Sequence, residues 1–272
     1  MIADPRLEGK YRRLLDLIAA KGSAAVAFSG GVDSSLLCYA AREALGERAA
    51  AITVRSPMLP GSEADCARTV AAQVGIRHFF VEEEGIDEEV AANPRDRCYF
   101  CKKIEFASIA AEARKQGIHT VLDGSNLDDL GDYRPGLRAL AELGICSPLR
   151  EAELNKAEIR ELSRCFGLPT WDKPAFACLA SRIPYGERID REKLGRVERA
   201  EDALREAGFR QMRVRLHGDI ARIEVAPQER PRFFDEALLD SLSRKFKSLG
   251  FLYVALELEG YVQGNLNRAL QG

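Results

Sequence analysis

The sequence predicts an α/β fold: a parallel sheet wrapped by crossover helices, followed by a smaller α+β domain. Three observations carry this. Short apolar runs alternate with helical periods through residue 166. A glycine-rich turn, Ser29-Gly30-Gly31-Val32-Asp33, joins the first such run to the first long buried helix. Beyond residue 190 the order changes to helix, strand, strand, helix, strand. Alternation of the first kind implies parallel strands joined by helices, and the change of pattern implies a second domain.

Leu7, Leu14, Leu15, Leu17 and Ile18 recur at helical spacing, so an amphipathic helix leads in. Apolar strands are expected at Ala24–Phe28, Ala50–Val54, His78–Val81 and Thr120–Leu122. Helices are expected at Ser34–Leu45, Ser62–Val74, Lys102–Gln116 and Lys156–Phe166. Ligands of such sheets sit at the carboxyl ends of the strands, where Ser29 and Asp123 fall. Gly167–Gly186 holds three prolines and reads as a connecting loop. These features divide the chain into 1–170, a loop at 171–189, and 190–272.

In the last part, helices are expected at Asp190–Ala207 and Glu229–Leu249, and strands at Gln211–Leu216, Ala221–Ala226 and Phe251–Leu258. If Gly218-Asp219 forms a two-residue turn, Arg215 faces Arg222 and Arg213 faces Glu224. Met212, Val214, Leu216, Ile223 and Val225 then take the other face. Spacing alone makes the arginine face an ordinary solvated one.

Composition narrows the function. The chain has 272 residues, 46% hydrophobic and 30% charged, with net charge −2, so no bulk basic footprint for nucleic acid exists. No apolar run is long enough to span a membrane, and the N-terminus has no basic-then-apolar leader. Seven cysteines, an odd count, argue against a secreted disulfide scaffold and for a reducing cytoplasm.

The chemistry starts at the glycine turn. Two glycines let the backbone bend sharply and approach a ligand closely. The helix start adds unpaired N–H groups and the positive end of the helix dipole, an anion site suited to phosphate. Ser29, Ser34 and Ser35 add hydroxyl donors. The lysine of a Walker A loop is missing, which excludes that class.

Cys98 and Cys101 form a C-x-x-C followed by Lys102-Lys103, and Cys178 lies in the connecting loop. A structural zinc site wants a fourth ligand that is not evident. A redox dithiol lacks its usual context. An iron–sulfur cluster held by three thiolates leaves one iron open. Buried thiols are the alternative, and Cys38, Cys66, Cys146 and Cys165 fit it.

Ser29–Ser35 resembles the pyrophosphate loop of the N-type ATP pyrophosphatases. Arg97–Lys102, Asp123-Gly124-Ser125-Asn126, Asp128-Asp129, Asp132–Gly136, Ala177–Arg182 and Val214–His217 together resemble the LarE family. These are ATP-dependent sulfur transferases of nickel-pincer cofactor biosynthesis. The resemblance spans almost the whole chain. It implies ATP and Mg²⁺, and a nicotinate-derived mononucleotide as substrate, pyridinium-3,5-biscarboxylic acid mononucleotide. A carboxylate is adenylated and then converted to a thiocarboxylate.

One family branch sacrifices a cysteine, matching Cys178, which ends as dehydroalanine. Another resembles cluster-dependent thiolation enzymes, with three cysteines and a [4Fe-4S] cluster. Cys98, Cys101 and Cys178 match the second pattern, which makes the cluster the expected sulfur carrier. A tRNA thiolase is the remaining alternative, without the basic surface it would need.

The resemblance also implies roles. Ser29, Gly30, Gly31, Val32, Asp33, Ser34 and Ser35 hold pyrophosphate, Asp33 through Mg²⁺, and Lys102 neutralises the leaving group. Asp123 and Asn126 contact nucleotide or metal. Arg182, Arg213, Arg215 and Glu224 bind substrate, which overturns the solvated-face reading, and Glu201 joins a metal site. A homo-oligomer, possibly hexameric in this family, is implied as well.

Overall fold

The computed structural model describes residues 2–131, 135–174, 177–262 and 265. Asp132-Tyr133-Arg134, part of one motif above, lies outside the described residues. The elements run α1 Pro5–Ala19, β1 Ala24–Ala27, α2 Val32–Leu45, β2 Ala49–Arg55, α3 Gly61–Val74, β3 Arg77–Glu82, α4 Glu88–Ala91, α5 Arg97–Lys115, β4 Val121–Leu122, α6 Gly136–Glu142, α7 Pro148–Glu151, α8 Lys156–Cys165, α9 Arg191–Glu206, β5 Met212–His217, β6 Ile220–Val225, α10 Glu236–Ser248 and β7 Tyr253–Leu256. Short 3₁₀ turns lie between several of them, including Leu179–Arg182 and Pro227–Phe234.

Contacts divide the chain into two units, Met1–Gly85 with Asp96–Phe176, and Ile86–Arg95 with Ala177–Gly272. The first holds a parallel sheet in the order β3-β2-β1-β4. β1 and β2 are buried nearly end to end, as parallel strands covered on both faces must be, while β3 is the half-exposed edge. The chain moves outward from β1 to β3 and then returns to β4 on the other side of β1. The crevice at the carboxyl ends of β1 and β4 is therefore the topological switch point, the usual ligand position in open α/β sheets.

α2 is buried along most of its length, through Val32, Leu36, Leu37, Cys38, Ala40, Ala41 and Leu45. It packs in one core with Leu14 and Ile18 of α1 and Ile159 and Leu162 of α8. A second core, with Ile52, Phe106, Ile109 and Val121, seats α5 on the sheet. Each such fully buried aliphatic or aromatic side chain contributes about 1.5–3 kcal/mol.

The second unit holds the antiparallel hairpin β5–β6 with β7 added parallel to β6. Met212, Val214, Leu216, Ile223 and Val225 are all buried. The segment Gln228 to Ser248 differs from the single helix expected there. Pro231 cannot donate to a helical ladder, and Asp235 caps a new helix by accepting from Ala237 N (2.9 Å) and Leu238 N (3.3 Å). The result is a 3₁₀ stretch followed by α10. α5 also starts earlier than expected, at Arg97, so Cys98 and Cys101 stand on its first turns.

Candidate functional site

The glycine turn leaves β1 and becomes α2. Gly30 has φ +72°, and a Cβ there would meet Glu63 O at 3.1 Å and Ala67 N at 3.2 Å. Only glycine takes this conformation cheaply, and only glycine lets α3 approach so closely. No side chain caps α2 at Gly31, so its first N–H groups face outward without a side-chain partner. Ser35 Oγ donates to Gly31 O (2.7 Å), and Ser29 Oγ lies 3.2 Å from Ser34 Oγ. These hydroxyls brace the turn.

Asp33 is held from two sides. Asn126 Nδ2 donates to its Oδ1 at 3.1 Å, and the Lys156 ammonium donates to Oδ2. Asn126 reaches it because Gly124 lets the β4 loop lie against α2: a Cβ there would sit 3.3 Å from Ser34 N. Asp123 is buried and accepts from Ser125 N (3.0 Å), from the Ser125 hydroxyl and from the Ser147 hydroxyl. Asp123 therefore braces the β4 loop, with both oxygens satisfied by donors of its own unit.

Two lysines that no sequence motif singles out stand at the turn. Lys156 opens α8, 123 residues from Asp33. Lys173 Nζ donates to Gly30 O (3.0 Å) and to Glu63 Oε2 (2.9 Å), and lies 3.2 Å from Cys66 Sγ. The backbone carrying Lys173 is pinned by Arg160, whose guanidinium donates to Trp171 O (2.6 Å) and Lys173 O (2.7 Å). The Lys-Pro pair in a proline-containing loop was the sole available signal. A recess lined by Arg55, Leu59, Pro60, Gly61, Ala64 and Asp65 opens at the carboxyl end of β2.

Lys102 lies one turn into α5, with Nζ 2.8 Å from Glu105 Oε2 and 5.0 Å from the centre of the Phe106 ring. Burial disfavours its charge. The Glu105 carboxylate outweighs that, with Cys101 and Asp123 adding to the same side, and its pKa is raised above the usual lysine value. It is thus a fixed cation. Gly136 of α6 packs on it closely: a Cβ there would be 3.0 Å from Lys102 Cγ and 3.5 Å from Cys98 O. Cys98 and Cys101, three apart on α5, share one helix face and are half-buried.

In the second unit, Cys178 is the N-cap of the 3₁₀ turn Leu179–Arg182 and is half-buried. Arg182 is fully buried. It makes a two-pronged pair with Glu201, Nε to Oε1 at 2.8 Å and Nη2 to Oε2 at 2.9 Å. Its Nη1 donates to Ala177 O (2.6 Å), Cys178 O (3.1 Å) and Ser181 Oγ (2.9 Å). Glu201 Oε1 also accepts from Val214 N at 3.0 Å. Both carboxylate oxygens of Glu201 are thus taken by protein donors, not turned toward a metal. Arg182 holds the Cys178 turn in place, a different task from the substrate contact expected of it.

The hairpin pairs Arg213 with Glu224 and Arg215 with Arg222, the register that the turn implied. Arg213, Arg215 and Glu224 are buried, so this face is not the solvated one that spacing alone suggested. Arg215 forks onto Glu224 (3.1 and 2.9 Å) and donates to Ser181 O (2.7 Å). Arg222 Nη2 reaches the same carboxylate at 3.0 Å and Glu257 through Nη1 at 3.2 Å. Arg213 donates to Met212 O (2.6 Å) and lies 5.0 Å from the Tyr261 ring. Burial pushes its pKa down, as do the charges of Arg182 and Arg215. Three buried guanidinium groups thus share two buried carboxylates, and the balance favours an incoming anion.

Among the described residues, no group of three or more His, Cys, Asp or Glu side chains is gathered as a metal site, and none of the seven cysteines forms a disulfide. No helix among them is long and apolar enough to cross a membrane.

The parallel sheet, with a glycine turn at its switch point feeding the buried α2, defines an ATP pyrophosphatase of the PP-loop class. Residues 16–222 accordingly match the family model described as asparagine synthase. The chain is 46% identical over 265 residues to the uncharacterized protein slr1717 of Synechocystis sp., covering 97% of this chain and 99% of that one. It is 37% identical over 247 residues to the pyridinium-3,5-bisthiocarboxylic acid mononucleotide synthase of Lactiplantibacillus plantarum, covering 90% and 89%. The uncharacterized protein MJ0830 of Methanocaldococcus jannaschii is 30% identical over 236 residues, covering 87% and 89%. The chain belongs to the LarE family of ATP-dependent sulfurtransferases.

Proposed function

We propose that this enzyme adenylates a ring carboxylate of pyridinium-3,5-biscarboxylic acid mononucleotide and replaces one carboxylate oxygen with sulfur. The observation that carries the reading is the buried guanidinium set of Arg182, Arg213 and Arg215, in a chain alike over 90% of its length to a synthase of the bisthiocarboxylic product. A phosphate and two carboxylates make that substrate strongly anionic. Arg213 and Arg215 bind it, and Glu224 orients Arg215.

A carboxylate is a poor electrophile, and adenylation gives it a good leaving group. The substrate oxygen attacks the α-phosphorus of ATP. Pyrophosphate departs onto the N–H groups of Gly30–Ser34 and the hydroxyls of Ser29, Ser34 and Ser35. Asp33 would hold Mg²⁺: its carboxylate is a hard oxygen donor at the phosphate turn, positioned by Asn126 and Lys156. Lys102 and Lys173 neutralise the charge growing on the leaving group. Adenine occupies the recess beside Arg55.

Sulfur then attacks the acyl carbon and AMP leaves. Cys98, Cys101 and Cys178 would hold a [4Fe-4S] cluster. Three soft thiolates suit iron, and two of them already share a helix face. When bound, that group would supply sulfide at the activated carbon. Arg182 keeps the Cys178 turn fixed throughout. Water must stay out, since it would hydrolyse the acyl-adenylate. We further propose a homo-oligomer.

The test uses anaerobically purified protein with MgATP, sulfide and the substrate. Pyrophosphate release should need the substrate, and product mass should show sulfur in place of oxygen. Iron and sulfide should be present in the wild type and lost in Cys98→Ala. Pyrophosphate release without substrate, and no sulfur in the product, would refute the function. Iron-free wild type after cluster reconstitution would return the sulfur source to Cys178, with loss of H₂S from that residue on turnover.

A further inference from the structure

We propose that Cys66 and Lys173 form a thiol–amine redox pair, which a hydroperoxide closes into a covalent S–N bond that withdraws Lys173 from the phosphate turn. Cys66 lies on α3, half-buried, with Sγ 3.2 Å from Lys173 Nζ and 3.8 Å from Gly30 O. Glu63, one turn earlier on the same helix, accepts from the same ammonium at 2.9 Å. Arg160 fixes the backbone on both sides of Asp172 through Trp171 O and Lys173 O, so the amine is held over the thiol. Nucleophile, amine and proton acceptor are thus preassembled behind the turn, and nothing in the sulfur-transfer chemistry uses Cys66.

The chemistry balances in two steps. The Cys66 thiolate attacks the peroxide oxygen, forming an S–O bond and breaking O–O. Sulfur is oxidised by two electrons, the peroxide is reduced, and an alcohol or water leaves with the thiol proton. Glu63 takes a proton from the Lys173 ammonium, and the neutral amine attacks the sulfenic sulfur. Hydroxide leaves as water with the proton that Glu63 held. The proton remaining on nitrogen passes to solvent through the same carboxylate. The chain loses two hydrogens, and a thiol reductant restores both side chains.

The bond stands on geometry alone. Its consequence rests on the reading of the turn as the ATP phosphate site. Tied to Cys66, Lys173 loses its positive charge and its reach. Removing one charged hydrogen bond from a phosphate corresponds to roughly a tenfold or greater loss in ATP affinity.

Full-length protein is treated with dilute hydrogen peroxide, then examined by intact mass, by peptide mapping and by binding of a fluorescent ATP analogue. The expected result is a dithiothreitol-reversible link between the Cys66 and Lys173 peptides, with weakened binding. Cys66→Ser should form no link and should keep its affinity after peroxide. Sulfenic or sulfinic acid at Cys66 without a link overturns the proposal, as does equal loss of binding in wild type and Cys66→Ser. A linked protein that binds the analogue undiminished overturns the regulatory half, and with it the phosphate role of Lys173.

Discussion

Arg182→Met is the sharpest single perturbation of the second unit. The guanidinium it removes is fully buried, forks onto Glu201 at 2.8 and 2.9 Å and donates to two backbone carbonyls. Leaving Glu201 as an uncompensated buried charge costs about 3–5 kcal/mol. The orphaned carbonyls of Ala177 and Cys178 add about 1 kcal/mol each. Adding Glu201→Gln removes the stranded charge and keeps an oxygen for Val214 N, 3.0 Å away in the native protein. The double variant should therefore recover about 2 kcal/mol or more relative to Arg182→Met. Hydrogen exchange of the β5 and β6 amides reads this locally, without requiring the whole chain to unfold in one step. Alkylation of Cys178 should also quicken in both variants, because its turn has lost the donor to its carbonyl. A single variant within about 1 kcal/mol of wild type would refute the reasoning. So would a double variant no more stable than the single one.

Lys156→Met should lower kcat/KM for ATP roughly 10- to 100-fold, since it strips Asp33 of a charged hydrogen bond; steady-state pyrophosphate release checks this, and Lys156→Arg should recover part of the loss. Gly30→Ala should destabilise the first unit by about 1–2 kcal/mol for its left-handed backbone alone. The Cβ contact with Glu63 O should displace the turn and weaken ATP binding further, measured by titration calorimetry. His78 is held neutral, its pKa pushed to about 4 by burial and by the Arg68 and Arg55 charges. Thr53 donates to Phe28 O (2.6 Å) and so accepts from His78 Nε2 (2.8 Å). The unfolded chain takes up this proton near pH 6.5 and the folded one only near 4, so stability should fall as pH drops through that window. His78→Gln should flatten that fall in urea midpoints recorded between the two values.

The alternation of apolar runs and helical periods made the parallel sheet legible, because strands buried on both faces leave an unbroken signature. The hairpin register followed from side-chain parity, and Arg213 does face Glu224. Parity fixes which residues share a face; it says nothing of what covers that face. Burial of Arg213, Arg215 and Glu224 was therefore invisible to spacing. Lys156 and Lys173 were illegible for another reason. Their partners lie 123 and 143 residues away at Asp33 and Gly30, and neither lysine stands in a run unlike other helix-start or loop lysines. Pro231 was legible as a helix breaker and should have divided the segment that became a 3₁₀ stretch and α10.

The second unit is not one continuous piece of chain: it borrows Ile86–Arg95 from the middle of the first. Asn93 of that loan is buried and donates to Ile183 O (3.3 Å), Pro184 O (2.7 Å) and Glu187 O (3.0 Å), while Gly186 N and Ile189 N donate back to Asn93 O and Ala91 O. The polypeptide consequently threads from one unit to the other three times. A protease cut near residue 176 would yield two fragments that stay interlocked, and a gene truncated there would encode a C-terminal piece lacking a buried part of itself. Domain exchange between relatives, whether in the laboratory or in descent, would have to move two stretches of sequence together.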